Sequence, residues 1–143
     1  MKLQTASETL SFLDQLQKQA TDYYQTIIDR FGKDEEVYKG FIKENKRYYS
    51  DIMFSYRSVI SDALEGCYAF NLNSDDWILD TNLPDNQSYK DAISKAVSLE
   101  EKMISFYEAA AQQSAQLLAD VPRAMLHIVK KIKQKRLPKL KSM

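Results

Sequence analysis

The chain has 143 residues, of which 44% are hydrophobic and 28% charged, with only three glycines and three prolines. This length suits a single domain, residues 1–143, with its own core, and the composition excludes a disordered chain and argues against a turn-rich all-β protein. The 20 basic and 20 acidic residues balance, but seven of the basic residues follow Val129 and no acidic residue follows Asp120.

No stretch of the sequence approaches the ~20 apolar residues that a membrane-spanning helix requires. The first residues also lack the apolar segment of a signal peptide. We therefore expect no membrane span and a cytoplasmic location. Cys67 is the only cysteine, so an internal disulfide is excluded, and we expect its thiol to be inert.

Apolar residues recur at helical spacing in four segments. The first helix is predicted at about 6–31, opened by a Thr5-x-x-Glu8 capping box and closed by Gly32. The second is predicted at about 34–65, with Asp34 as its cap. Because only about two residues separate these helices, we expect them to form an antiparallel hairpin.

Residues 66–87 lose the helical period and collect Asn, Asp and Pro. We interpret them as a long crossover connection that has room for a short helical turn. We expect its apolar side chains to pack against the helices, and these are Phe70, Trp77, Ile78 and Leu79.

The third helix is predicted at about 88–118, opened by Ser88-x-x-Asp91, and the fourth at about 121–137, where Pro138 weakens or ends it. These two helices should form a second antiparallel hairpin. The sequence thus predicts an all-α four-helix bundle in which a long crossover joins two hairpins, the topology of ferritin-like bundles.

The two hairpins also resemble each other in sequence. Each has a Leu followed by Gln or Glu, and then an aromatic residue followed by Tyr, at equivalent positions in its first helix. The matching positions are Leu16-Gln17 with Leu99-Glu100, and Tyr23-Tyr24 with Phe106-Tyr107.

With this repeat the chain resembles the rubrerythrin-like branch of the ferritin-like superfamily over most of its length. In that family the first helix of each hairpin carries an inward Glu, the second carries Glu-x-x-His, and the set binds two irons. The resemblance implies peroxide reduction or ferrous iron oxidation where the metal ligands are kept, since carboxylates and imidazoles hold iron.

Most of these ligands are replaced in this chain. Glu100 matches the inward Glu of the third helix, but the first helix has Gln17 at the matching position. The Glu-x-x-His motif falls on Asn45 and Tyr48 in the second helix and on Ile132 and Lys135 in the fourth. One carboxylate and no histidine remain, and Tyr24 and Tyr107 are the aromatic residues that the resemblance places beside this vestigial site.

We expect Gln17, Asn45 and Glu100 to point inward, because they lie within or beside apolar stripes. A buried carboxylate is costly unless it finds partners or a proton. One hypothesis is that Lys135 extends toward Glu100 and replaces the metal cation, with hydrogen bonds from Gln17, Asn45 and Tyr48. The alternative is that Lys135 reaches solvent and Glu100 is protonated or meets water.

For the remaining candidate groups we expect structural or surface roles. The tyrosines at helical spacing are expected to be core residues rather than redox groups. His127, the sole histidine, is expected at the surface or satisfied in the interior rather than on a metal. Other carboxylates could bind an ion only away from the bundle centre, and these are Asp62, Glu65, Asp75 and Asp76.

Three functions follow, in order of preference. The first is a ferritin-like protein without its di-iron site or any other cofactor, a non-catalytic binding or assembly module that forms a homodimer or larger homo-oligomer. The second is a rubrerythrin-like iron enzyme with an atypical metal site. The third is an anionic-surface or nucleic-acid binder that uses the basic residues after Val129. We do not expect nucleic acid as a partner, since those residues lack interleaved aromatics.

Overall fold

Four main helices form the structure, a computed structural model that describes residues 1–59, 68–114 and 120–143. The helices are α1 (Ala6–Phe31), α2 (Glu35–Val59), α3 (Tyr89–Ser114) and α4 (Val121–Lys131). A π-helical turn (Ile132–Arg136) and a short helix α5 (Leu137–Lys141) continue the last of them. The helix ends predicted near 65 and 118, together with Cys67 and Leu117, lie outside the described residues.

The helices pack as a bundle around one apolar core. Helix α1 packs against α2 and α3, and α4 packs against α3 and α2. The predicted apolar stripes are largely buried along α1, α3 and α4, whereas four apolar residues of α2 are only partly buried: Val37, Ile42, Tyr49 and Met53. The structure therefore confirms a mostly helical bundle.

The start and end of α1 follow the predicted sequence signals. The Thr5 hydroxyl accepts a hydrogen bond from the Glu8 backbone N–H at 3.1 Å, and the Glu8 carboxylate accepts from the Thr5 N–H at 3.1 Å. At the other end Gly32 adopts the left-handed conformation with φ 60°, and its N–H donates to the carbonyl of Ile28. Glycine suits this position because it has no Cβ to clash there.

We expect Thr5→Ala to lower the free energy of unfolding by about 1 kcal/mol, because an N–H in the first turn of α1 loses its acceptor. The control is Ser7→Ala, an exposed position in the same turn, which should change stability by less than ~0.5 kcal/mol. Urea denaturation measures both. Equal effects of the two substitutions would show that the cap contributes nothing.

A small sheet departs from the all-helical prediction. Strand β1 (Lys2–Thr5) pairs antiparallel with β2 (Tyr68–Asn73), with Leu3 opposite Leu72 and an irregularity between Leu3 and Thr5. Leu3 and Leu72 are both buried. The strand pair ties the residues before α1 to the crossover, for which no strand was predicted.

The rest of the crossover lies against the helices, largely as predicted. A 3₁₀ turn at Ser74–Trp77 follows β2, and the Trp77 indole N–H donates to the Ser105 hydroxyl of α3 at 3.3 Å. Phe70, Trp77 and Leu79 are buried. The prediction for Ile78 was wrong, since 67% of its surface is exposed; after the turn, alternate side chains point to opposite sides.

The helix predicted to end near Pro138 instead continues to Lys141. Within the π turn the N–H of Leu137 donates to the carbonyl of Ile132, five residues back. Pro138 has no N–H to extend the regular pattern and lies in the first turn of α5, where proline is tolerated. Leu137 and Leu140 of α5 are buried, so the apolar stripe continues past the proline.

None of the helices within the described ranges is long and apolar enough to cross a membrane.

Candidate functional site at the bundle centre

A buried ion pair lies between α3 and the π turn. One guanidinium nitrogen of Arg136 (Nη1) is 3.0 Å from Oε1 of Glu100. The exposed fractions of these residues are 3% and 1%, and they are the only charged residues of the described chain that are buried. The bundle centre thus holds one positive and one negative charge in direct contact.

Arg136 uses its planar fork to reach α2 as well. Nη1 also donates to Oδ1 of Asn45 at 2.7 Å, and Nη2 donates to the carbonyl of Phe41 at 3.2 Å and to the Glu44 carboxylate at 3.3 Å. The guanidinium lies over the Phe41 ring, 4.8 Å from its centroid. A guanidinium suits this position because it presents several donors in fixed geometry and stacks on aromatic rings.

Lys135 is exposed, as in the alternative in which it reaches solvent, so the hypothesis that it extends toward Glu100 was wrong. The π turn contains an extra residue relative to a regular helical turn, and this rotates Arg136 rather than Lys135 toward the core. Glu100 meets a basic side chain, as that hypothesis proposed, but the side chain is that of Arg136, which neither alternative named. Leu140, which follows Pro138, was the sequence signal for Arg136, since Ile132, Arg136 and Leu140 recur every four residues, a helical spacing.

The tyrosines and amides of α1 complete the network. The Tyr24 hydroxyl donates to Oε1 of Glu100 at 2.5 Å, and the Gln17 amide donates to the Tyr107 hydroxyl. The structure thus brings Gln17, Tyr24, Glu100 and Tyr107 together at the bundle centre. The partner of the Gln17 amide is Tyr107 and not Glu100, unlike in the hypothesis that gave it a hydrogen bond to Glu100.

Two further predicted positions have different partners from those expected. Tyr48 is buried, but its hydroxyl donates to Glu44 at 3.4 Å rather than to Glu100. Ile132 is an ordinary core residue. Glu44 is half-exposed and forms the second ion pair of Arg136.

The electrostatics keep Arg136 charged. Burial disfavours its charged form, but the charge of Glu100 and the nearby Tyr24 and Tyr48 outweigh burial, so the pKa of Arg136 is raised above its ordinary value. Arg136 is therefore a cation beside Glu100 at neutral pH.

The buried tyrosines are also held in one protonation state. Burial and then the charge of Glu100 raise the pKa of Tyr24 and of Tyr107 above the ordinary value of 10.0. Both hydroxyls therefore stay protonated at neutral pH, and that of Tyr24 serves as a donor to Glu100.

We expect stability to fall as the pH rises above about 10, because the unfolded tyrosines then lose protons that the folded ones keep. Below that pH both states are protonated, so this contribution is constant. In the variant Tyr24→Phe/Tyr107→Phe the free energy of unfolding should fall less steeply, by about 2–3 kcal/mol per pH unit, than in the parent protein. Urea denaturation at a series of pH values measures these slopes, and parallel slopes for the two proteins would contradict the prediction.

The other candidate residues lie away from this centre. His127 is exposed on α4, and Asp75 and Asp76 are exposed in the 3₁₀ turn. Asp62 and Glu65 fall outside the described residues. Of the seven basic residues after Val129, Arg136 is buried in the core, which reduces the charge available to an anionic surface.

The side chains at the bundle centre do not fit a pair of irons. Among the described residues Glu100 is its one buried carboxylate, and Gln17 and Asn45 are neutral amides where the resemblance would place carboxylates. The Arg136 cation lies against Glu100, and a second cation there would be repelled. Across 1–59, 68–114 and 120–143, three or more His, Cys, Asp or Glu residues nowhere group closely enough to hold a metal ion.

Comparisons with protein-family models, curated proteins and solved structures give no match to this chain.

Proposed function

We propose that the protein is a ferritin-like, rubrerythrin-related bundle that has lost di-iron chemistry and acts as a non-catalytic binding or assembly module. The observation that carries this proposal is the contact between Arg136 and Glu100. In place of two metal ions, the bundle centre has a guanidinium within 3.0 Å of the surviving carboxylate.

The residues that stand at the metal-ligand positions of the related family support the proposal. The neutral Asn45 accepts from Arg136 at a position where the related family has a charged metal ligand. Tyr24 donates to the same Glu100 oxygen that Arg136 contacts. Each of these contacts gives a buried polar group a partner, so Glu100 and Asn45 do not need a metal ion to be accommodated in the interior.

The order in which the helices are connected also supports a relationship to ferritin-like bundles. Helices α1 and α2 are joined by the short turn around Gly32, α3 and α4 by a short segment before Val121, and the two pairs by the long crossover. Two hairpins linked by one long crossover is the ferritin-like connection. Self-association stays a prediction, and light scattering of the purified protein measures its mass.

Metal analysis tests the proposal. Protein purified from iron-supplemented cells, and again after anaerobic incubation with ferrous iron and desalting, should retain far less than one iron per chain. It should also consume hydrogen peroxide no faster than buffer that carries the same residual iron. Retention of an iron pair per chain, or peroxide consumption proportional to protein, would support the enzyme alternative instead.

A further inference from the structure

A row of hydrogen-bonded side chains runs from the surface into the core beside the turn between α1 and α2. The Tyr89 hydroxyl of α3 donates to Oδ2 of Asp34 at 2.6 Å. Because this bond uses the only hydrogen of the Tyr89 hydroxyl, the 2.9 Å contact between the Tyr38 and Tyr89 hydroxyls is one in which Tyr38 donates. These three residues form a tyrosine relay in which Tyr38 donates to Tyr89 and Tyr89 donates to Asp34.

One end of the tyrosine relay reaches solvent and the other is enclosed. Asp34 is exposed and Tyr89 is partly buried, whereas Tyr38 has no exposed surface. A proton that Tyr89 releases can therefore pass through Asp34 to water. The ring of Tyr38, in contrast, is shielded from other molecules.

Asp34 is the carboxylate of the described structure best placed to take up a tyrosine proton. The two other carboxylates that accept from a tyrosine hydroxyl, Glu44 and Glu100, are both paired with Arg136. A proton on either of them would weaken an ion pair of a buried guanidinium. Asp34 forms no ion pair with any of the described residues, so a proton can bind it without such a loss.

The surroundings of Tyr89 favour loss of an electron together with a proton. Burial and then the hydrogen bond to Asp34 raise the pKa of Tyr89 above the ordinary value of 10.0, so its hydroxyl is protonated at neutral pH. The Lys33 ammonium lies 5.5 Å from the centroid of the Tyr89 ring. Loss of an electron alone would leave a positive ring beside this cation, which is unfavourable. Transfer of the hydroxyl proton to Asp34 leaves the ring neutral.

We propose that Tyr89 is a site of one-electron oxidation and that Tyr38 then stores the radical in the core. A one-electron oxidant, such as a peroxyl radical, takes an electron from Tyr89 while the O–H bond breaks and the proton binds Asp34. The peroxyl radical gains a proton from water and leaves as a hydroperoxide. Tyr38 then gives its hydroxyl hydrogen atom to the Tyr89 oxygen across 2.9 Å, and Asp34 returns its proton to water.

The hydrogen bonds favour the radical on Tyr38 rather than on its neighbours. Once Tyr89 has regained its hydrogen, it again donates to an ionised Asp34, and a hydrogen bond to a charged acceptor is stronger than a neutral one. The Tyr24 ring is stacked on Tyr38 with the centroids 5.8 Å apart. Its proton acceptor is Glu100, which Arg136 holds in an ion pair, so the radical stops at Tyr38.

This inference goes beyond the proposed binding or assembly role. The tyrosine relay is separate from the contact between Glu100 and Arg136, and its reaction consumes one oxidant per chain without a metal ion. Iron retention is measured separately, so the two proposals can fail independently.

Flash photolysis of the full chain with tris(bipyridine)ruthenium and a cobalt(III) electron acceptor tests the first step. The flash generates ruthenium(III), a one-electron oxidant, and the absorption of the tyrosyl radical reports its yield and its rate of formation. Tyr89→Phe should lower the yield by more than half. Tyr49→Phe is the matched control that should leave the yield unchanged, because Tyr49 is also partly buried but donates to no carboxylate among the described hydrogen bonds.

Asp34→Asn tests the role of the proton acceptor. Asparagine suits the left-handed backbone of this position, where φ is 53°, but its amide cannot take up the proton. The rate of radical formation should therefore fall about tenfold or more. An unchanged yield in Tyr89→Phe, or an unchanged rate in Asp34→Asn, would overturn the proposal.

The lifetime of the radical tests its storage on Tyr38. Tyr38→Phe keeps the ring in the core but leaves the radical on the partly buried Tyr89, where a second chain can react with it. The radical should therefore decay several times faster in this variant than in the parent protein. Equal lifetimes in two proteins with the same circular dichroism would show that Tyr38 does not store the radical.

Discussion

Substitution of Arg136 by methionine should lower the free energy of unfolding by about 3–5 kcal/mol, the loss expected when one partner of a buried ion pair is removed. Methionine fills similar space without charge. Glu100, which is only 1% exposed, would then be buried without a positive partner. Among the described contacts, the Tyr24 hydroxyl would be its remaining donor. The Asn45 carbonyl would lose its partner too.

Lys135→Met is the matched control for this experiment. The two residues are adjacent, both basic, and replaced by the same side chain, but Lys135 is exposed. We expect its substitution to change stability by less than ~0.5 kcal/mol. Urea denaturation of the parent protein and the two variants measures both changes in the free energy of unfolding. A larger loss from Lys135→Met than from Arg136→Met would mean that Lys135 is the cation at Glu100.

A conservative variant separates charge from geometry. Arg136→Lys keeps the positive charge but loses the planar fork that reaches Glu100, Asn45 and the Phe41 carbonyl together. Its stability should fall between those of the parent protein and Arg136→Met. Because Lys is milder, this variant also keeps the test informative should the methionine variant fail to fold.

Removing both charges should lower the free energy of unfolding no more than removing one of them. The double variant Glu100→Leu/Arg136→Met buries no unpaired charge, so the two single losses should not add. We expect a coupling free energy of about 2–3 kcal/mol between the two positions. Some loss should remain, because the Tyr24 hydroxyl and the Asn45 carbonyl lose their charged partners.

A double-mutant cycle by urea denaturation measures this coupling. Glu100→Leu, Arg136→Met and the double variant are compared with the parent protein, and Lys133 paired with Glu108 provides a reference. That ion pair joins the same two parts of the bundle at 3.6 Å but is about half-exposed, so its coupling should stay below about 1 kcal/mol. Additive losses at Glu100 and Arg136 would show that the two groups do not stabilise each other.

The helices were predictable because local signals and the apolar period agree. The Thr5–Glu8 capping box and Gly32 fix the ends of α1 at Ala6 and Phe31. The strand pair was missed for the opposite reason. Lys2–Thr5 and Tyr68–Asn73 are short and distant in sequence, so neither segment carries enough alternation to indicate a partner.

The sequence predicts a buried carboxylate that needs a partner, but it does not fix which residue is that partner. Burial of Glu100 and Gln17 follows from their places in apolar stripes, and a buried carboxylate requires a partner. The resemblance pointed to Lys135, whereas the four-residue spacing of Ile132, Arg136 and Leu140 indicated Arg136. A fixed helical period does not, however, predict the extra residue of the π turn, in which Lys135 is exposed and Arg136 is buried.

Crystals grown with ferrous iron and measured at the iron absorption edge test the central claim most directly. We predict planar guanidinium density from Arg136 between Glu100 and Asn45, without an anomalous peak at the bundle centre. A pair of neighbouring anomalous peaks on Glu100, with Arg136 displaced from it, would contradict the account.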